Sequence, residues 1–153
     1  MLADALSYKV KAVVAYADWI VGSPMAAITL SFKLAEIMET SHGFAEKDGE
    51  RMKFKRFVIP RHSTVLRCEE LITTSKTTEQ VAEAIERDNP HRVTILGQVA
   101  TAIWRPEMND KRRWEPIYLA RWIVRNWDAA DCALCKQGSS ALKPKEHWRE
   151  FAR

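Results

Sequence analysis

The sequence is poor in glycine and has no long apolar run, and each shortage excludes a class of protein. Only five of the 153 residues are glycine, and none belongs to a glycine-rich phosphate-binding motif or a G-x-S-x-G nucleophile motif. No apolar segment approaches the roughly 18–20 residues of a membrane-spanning helix, because Asp18 and the break at 22–24 interrupt the best candidate. The N-terminus contains Asp4 and no basic region, unlike a secretory signal. We therefore predict a protein without a membrane span, located in the cytoplasm, or in the nucleus if its host is eukaryotic.

Cysteine is also scarce, which excludes a disulfide framework. The odd count of three, Cys68, Cys132 and Cys135, indicates free thiols in a reducing compartment. A structural zinc site needs four ligands, usually two close pairs, whereas Cys132 and Cys135 form the single pair, with Cys68 and His147 as remote additions. The pair also falls at the predicted C-terminal end of a helix, where the helix dipole does not lower a thiol pKa. We predict no metal and no cofactor.

Enough apolar and charged residues are present for an ordinary globular domain. Hydrophobic residues make up 46% and charged residues 29% of the chain, which is typical of one compact domain over residues 1–153. The formal net charge is +4, and the segment 51–61 contains five cations and no acid. A basic balance of this kind favours an anionic partner.

Apolar periodicity predicts a mainly α fold. Hydrophobic residues recur at three- and four-residue steps in six segments, so we expect about six helices, with one short strand candidate at 51–59. The predicted helices span residues 2–21, 24–40, 63–74, 78–87, 90–104 and 117–134. The first two form an N-terminal helical hairpin over 1–40, and C-terminal helices occupy 117–153.

The central segment, 63–116, has the order of a helix-turn-helix core. Asn89 and Pro90 form a strong helix-start signal, with an Asn cap and Pro in the first turn. After the third helix, two prolines and Asn109-Asp110 predict a small β-hairpin bearing basic residues. Three short helices followed by a basic hairpin resemble a winged helix.

In this helix-turn-helix interpretation the helices 78–87 and 90–104 form the pair, and the second of them, 90–104, gives the strongest indication of function in the sequence. It contains no acid, and a polar stripe lies on its outward side. Gln can bond adenine bidentately, and Arg can reach guanine or phosphate. The predicted groove contacts are His91, Thr94, Gln98, Thr101 and Arg105.

Two cationic stretches could supply phosphate contacts if the fold places them on one face. Their predicted contact residues are Lys53, Lys55, Arg56, Lys111, Arg112 and Arg113. On this basis we predict a small, basic, non-catalytic nucleic-acid-binding protein, with DNA favoured over RNA. No catalytic motif is present, so the sequence predicts no enzyme.

Two alternatives stay open. The segment at Asn89-Pro90 is also compatible with a plain helical turn whose polar stripe is a solvated face. The chain could instead be a protein-interaction module, such as an inhibitor, an adaptor or a self-assembling structural protein of a virus or mobile element. Trp and Arg dominate interface hot spots, so the predicted partner-binding residues are Trp114, Arg121, Trp122 and Arg125. The second helix, apolar on more than one side, predicts a homo-oligomer.

Overall fold

The computed structural model describes residues 2–106, 112–125, 127–128, 130–140, 142 and 146–151. In chain order the elements are α1 (Leu2–Val13), β1 (Trp19–Gly22), α2 (Ala27–Met38), β2 (Ser41–Phe44), β3 (Glu46–Asp48), β4 (Arg51–Lys53), β5 (Thr64–Ile72), α3 (Lys76–Asp88), β6 (Thr94–Trp104), β7 (Glu115–Arg121), α4 (Ala133–Lys136) and α5 (Trp148–Phe151).

Five of the strands form one parallel sheet in the order β2-β1-β5-β6-β7. A parallel sheet is covered on both faces, so its strands are apolar along most of their length instead of alternating. The pattern is visible in β5, where five consecutive residues from Val65 to Glu69 are buried. The remaining strands, β3 and β4, form a separate antiparallel hairpin.

The two faces of the sheet pack against different helices. One core cluster joins Leu6 and Val10 of α1 and Leu34 of α2 to Leu66 and Cys68 of β5. The other joins the hairpin and α3 to the opposite face. Neighbouring residues of β5 therefore point into different cores, as the period of a strand requires.

The mainly α prediction is wrong, because three of the predicted helices are strands. The segments 63–74 and 90–104 contain β5 and β6, and residues 117–121 of the third segment, 117–134, belong to β7. In β6, five of the eleven residues are β-branched, a composition that favours strands: Thr94, Ile95, Val99, Thr101 and Ile103. A buried strand and a buried helix give the same dense apolar run, so spacing alone did not distinguish them.

The predicted subdivisions fail for the same reason. The predicted winged-helix region, 63–116, contains a β-α-β unit made of β5, α3 and β6, which span 64–104. The N-terminal helical hairpin, 1–40, is split by β1, and within 117–153 the helices α4 and α5 have four residues each. Helix α3 itself, expected over 78–87, is present. The expected hairpin tip at Asn109-Asp110 lies outside the described residues.

Asn89 is not the N-cap of a following helix; it is the C-cap residue of α3, and its side chain links two loops. Its side-chain oxygen accepts from the Ile59 N–H at 2.8 Å, and its amide donates to the Ile59 carbonyl at 3.0 Å and to the His91 carbonyl at 2.7 Å. The residue follows the last turn of α3 with extended backbone. Its three bonds replace the cap that the sequence suggested.

Across the described part of the chain, we find no helix that combines the length and apolar character needed to cross a membrane.

Candidate functional site

The sheet order creates a crevice at one edge. From β1 the chain leads to β2 on one side, whereas the other neighbour of β1 is β5. In open parallel sheets of this order, ligands bind beyond the carboxyl ends of the strands at the point where the order reverses. Here that point lies between Gly22, which ends β1, and Ile72, which ends β5.

The loop after β5 presents hydroxyl groups at the start of a helix. It contains Thr73, Thr74 and Ser75, and Thr77 lies in the first turn of α3. The first helical N–H that bonds within α3 is that of Glu79, which donates to the Ser75 carbonyl at 3.0 Å. The N–H groups before it have no partner inside the helix, and with the dipole they form a site that suits an anion, phosphate in particular.

Two adjacent carboxylates, Glu69 and Glu70, stand at the end of β5 beside this loop. Glu69 is buried and accepts hydrogen bonds from the hydroxyls of Ser23 and Thr78, the latter at 3.2 Å. Burial raises the pKa of the Glu69 carboxyl to about 7, partly offset by the two hydroxyl donors. Glu70 is partly exposed.

These groups line a cleft of about 120 Å³. It lies between the loop after β1 and the loop after β5, and Lys47 of the hairpin also lines it. Typical small-molecule pockets measure roughly 300–1,000 Å³. The cleft therefore has room for only a part of a nucleotide-sized ligand.

The loop after β1 begins where the chain approaches α2 closely. A Cβ on Gly22 would collide with the Ser31 hydroxyl, and it would lie 3.3 Å from the Ala27 carbonyl oxygen. Ser31 donates to the Ile28 carbonyl at 2.9 Å and is hydrogen-bonded to His42 Nε2 at 2.8 Å. Burial lowers the pKa of His42. Because Gly22 has no side chain, the end of β1 can pack closely against α2, and the loop that follows β1 can reach the cleft.

The structure does not bring the predicted groove contacts together. Thr94 opens β6 and Arg105 follows its other end, which puts them on the order of 30 Å apart at about 3.3 Å per strand residue. Gln98 is half-buried between them, and Thr101 is buried, with its hydroxyl donating to the Ile103 carbonyl at 3.0 Å.

His91, the last of the predicted groove contacts, lies in the loop before β6, at the amino end of that strand. Arg105 is the single member of the set at the edge that carries the cleft. Its backbone N–H donates to the Ile72 carbonyl at 2.8 Å.

The predicted phosphate-binding cations are likewise dispersed. Lys53 pairs with Asp48, and Arg56 pairs with Glu46 at 2.9 Å, both within or beside the β3–β4 hairpin. Lys55 is exposed beside them. Arg112 belongs to a different part of the fold, because its guanidinium lies 4.3 Å from the centre of the Trp104 ring.

Of the other two cations, Arg113 is exposed in the same loop as Arg112, and Lys111 lies outside the described residues. The described cations thus belong to separate elements.

The predicted partner-binding residues divide into buried and exposed members. Trp114 is buried in a small cluster with Ile72 and Trp104. The Arg121 guanidinium lies 4.5 Å from the centre of the Trp104 ring. Trp122 is 57% exposed, and Arg125 is exposed. Burial makes Trp114 a packing residue, whereas a partner surface at Trp122 and Arg125 stays a prediction.

The cysteine pair sits at the start of a short helix and not at the end of a long one. Cys132 immediately precedes α4, and Cys135 lies within it. Hydrogen bonds from the Cys135 backbone and thiol lower the pKa of Cys132. Within the residues that the structure describes, no group of three or more His, Cys, Asp or Glu side chains could hold a metal ion.

The sequence analysis missed the groups that line the crevice, although a signal was present. Two acids, Glu69 and Glu70, follow a buried apolar stretch, and five hydroxyl residues come soon after them: Thr73, Thr74, Ser75, Thr77 and Thr78. A glycine-rich phosphate loop is the motif that sequence reasoning associates with such a site. The observed loop contains no glycine and offers hydroxyl groups in addition to helix N–H groups.

Comparison with known proteins points to one class of protein. No family model matches the chain. An orotate phosphoribosyltransferase from Caldicellulosiruptor bescii is 26% identical over 128 residues, which cover 83% of this chain and 65% of that protein. Another, from Carboxydothermus hydrogenoformans, is 23% identical over 146 residues, covering 94% of this chain and 74% of that protein. The chain thus spans about two thirds to three quarters of the length of these relatives.

Solved structures agree on the fold. The crystal structure of an orotate phosphoribosyltransferase from Aeropyrum pernix superposes with a TM-score of 0.59 at 12% sequence identity, covering 78% of this chain and 68% of that one. The chain therefore has the α/β fold of the phosphoribosyltransferases. These similarities overturn the prediction of a non-catalytic nucleic-acid binder, with its nucleic-acid partner, and that of a viral or mobile-element interaction module.

Proposed function

We propose that this chain is a phosphoribosyltransferase, which moves a phosphoribosyl group from an activated donor to a nitrogenous base. The observation that carries the proposal is the junction of three features at one crevice. Glu70, the loop residues Thr73 and Thr74, and the first turn of α3 all border the cleft between β1 and β5. The relatives are named for this reaction, and the earlier expectation of no enzyme is accordingly replaced.

The phosphate of the donor would lie at the N-terminus of α3. Unpaired backbone N–H groups of the first turn and the hydroxyl of Thr77 can donate to its oxygens. A charge-assisted hydrogen bond is worth roughly 1.5–3 kcal/mol. Loss of one such donor should therefore weaken the binding of the donor substrate about tenfold or more.

The ribose of the donor would lie between this phosphate site and the carboxylates. Sugar hydroxyls are donors, and a carboxylate is a natural acceptor for them. Glu70 lines the cleft and is partly exposed. In the transfer, the bond from ribose C1 to its diphosphate leaving group breaks and a bond from C1 to a ring nitrogen of the base forms.

The acceptor base would lie over the end of β6, the next strand along the sheet. Arg105 follows that strand, and its Nε is buried without a hydrogen-bond partner among the described residues. The curated relatives are named for orotate, a pyrimidine that carries a carboxylate, and guanidinium groups bind carboxylates well. A cytoplasmic location, which the sequence favours, belongs to this proposal.

Steady-state turnover tests the proposal, with orotate as acceptor and ribose 5-phosphate bearing diphosphate on C1 as donor. We expect turnover by the unaltered chain. Thr77→Val should raise KM for the donor at least tenfold, because it removes one hydroxyl at constant volume. Its matched control is Thr94→Val, at the opposite end of the sheet, which should leave kcat/KM unchanged.

The acceptor side is tested in the same assay. Arg105→Lys should raise KM for orotate at least tenfold and leave KM for the donor unchanged, with Arg125→Lys as its control. Absence of turnover with orotate and with purine bases, or equal kinetics for Thr77→Val and Thr94→Val, would contradict the proposal.

A further inference from the structure

The cysteine pair at the start of α4 lies outside the crevice, and the proposed function makes no use of it. Cys132 and Cys135 are both partly exposed. All four residues of α4, Ala133–Lys136, are exposed or partly exposed, and Leu134 between the two cysteines is 61% exposed. A buried cysteine is usually a packing residue, but this pair packs into no core. Its thiols are open to reagents in solution.

The third cysteine of the chain has the opposite surroundings. Cys68 is 1% exposed and belongs to the core cluster between the sheet and the helices α1 and α2. Burial raises the pKa of its thiol, so the thiolate, which is the reactive form, is suppressed there. Cys68 is therefore a packing residue and serves as an internal control for the exposed pair.

The spacing of the pair suits a disulfide bond. Residues three positions apart on a helix have Cβ atoms roughly 5–6 Å apart, and a disulfide needs about 3.5–4.5 Å. Cys132 has an extended backbone and precedes the helix, while its carbonyl accepts the Lys136 N–H at 3.0 Å. The Cys132 side chain can thus approach Cys135 without a break in the hydrogen bonds of α4.

The two thiols differ in their readiness to lose a proton. Interactions with the backbone and the thiol of Cys135 lower the pKa of Cys132, and the interaction with Cys132 raises the pKa of Cys135. A thiolate attacks a disulfide, whereas a thiol does not. This difference suits Cys132 to attack first and Cys135 to follow.

We propose that Cys132 and Cys135 form a reversible dithiol–disulfide site that reacts with low-molecular-weight disulfides. The Cys132 thiolate attacks one sulfur of the small disulfide, whose S–S bond breaks and releases a first small thiol. Cys135 then loses its proton and attacks the Cys132 sulfur of the mixed disulfide, which releases a second small thiol. Two protein thiols and one small disulfide become one protein disulfide and two small thiols. Excess small thiol reverses both steps.

The direction of this exchange depends on the redox state of the surroundings. In a reducing compartment a disulfide is usually transient, and it is typically a catalytic or redox-sensing one. The dithiol is then the resting form, and the disulfide appears when small disulfides accumulate.

Peptide mass spectrometry tests the proposal after incubation of the full chain with glutathione disulfide and alkylation of the remaining thiols. We expect the segment that contains Cys132 and Cys135 to lose two hydrogens and to take up no alkylating agent. Reduced glutathione should restore both thiols. Cys68 should stay reduced throughout and should be alkylated only after the chain is unfolded.

Two variants separate the roles of the pair. Cys135→Ser removes the second attack, so the reaction should stop with one glutathionyl group on Cys132. Cys132→Ser should form the corresponding adduct on Cys135 several-fold more slowly, because the first attacking thiol is gone. Equal rates in the two variants would contradict the assignment of Cys132 as the first nucleophile.

Two further outcomes would overturn the site itself. One is a glutathionyl adduct that persists in the unaltered chain without closure of the Cys132–Cys135 disulfide. The other is modification of Cys68 in the folded chain as fast as that of the pair. None of these measurements depends on phosphoribosyl transfer, so failure of the proposed function and failure of this site are distinguishable.

Discussion

At the scale of single residues, the crevice depends on a few side chains whose size or polarity is fixed by their neighbours. Gly22 is one of them, because α2 leaves no room for a Cβ at the end of β1. A glycine in a sheet is otherwise a cost to stability, and it is retained where another group approaches closely.

We expect Gly22→Ala to destabilise the fold by roughly 1–3 kcal/mol, the usual cost of overpacking. The measurement is the free energy of unfolding in urea. Gly97→Ala is the control, since a Cβ on Gly97 in β6 would meet no atom within 4 Å, and it should be neutral or slightly stabilising. Ser31→Ala added to Gly22→Ala should recover part of the loss. Equal stability of the two glycine variants would refute the close approach.

At the scale of elements, the periodicity of apolar residues predicted the type of an element correctly where that element buries a single face. Helix α3 was predicted nearly to its bounds, because Val81, Ala84 and Ile85 form one buried face and its exposed positions are charged. Strands β5, β6 and β7 were mistaken for helices, because burial on both faces removes the alternation that marks a strand. For the same reason, the segment that forms β6 was predicted to be a helix with a polar outward side.

The Asn89 side chain provides a test at this scale. Asn89→Ala would remove three hydrogen bonds and leave the buried N–H and C=O of Ile59 without these partners. We expect a loss of about 2–4 kcal/mol in the free energy of unfolding, since unpaired buried polar groups cost about 1–3 kcal/mol each. Gln98→Ala, in a partly exposed position of β6, is the control. A loss under about 0.5 kcal/mol in Asn89→Ala would show that the link between the two loops does not support the fold.

At the scale of the whole molecule, the order of strands decides where the chemistry lies. That order brings β1 beside β5, although 41 residues separate Gly22 from Thr64. It thereby also places the loop that contains Ser23 beside Glu69. Sequence analysis could locate single elements such as α3, but nothing in their local composition encodes which strands are neighbours. The candidate site could therefore be recognised from the sequence only as separate acids and hydroxyls, without the crevice that joins them.

The central claim is that a phosphate-bearing sugar binds at the carboxyl edge of the sheet, between β1 and β5. Hydrogen–deuterium exchange with and without saturating ribose 5-phosphate tests it directly, with ribose as the control ligand. The account predicts slower amide exchange in residues 73–78 and around Ser23 with ribose 5-phosphate, and none of this with ribose. Protection confined to the amino edge, around His62 and Thr94, or no protection at either edge, would contradict the claim.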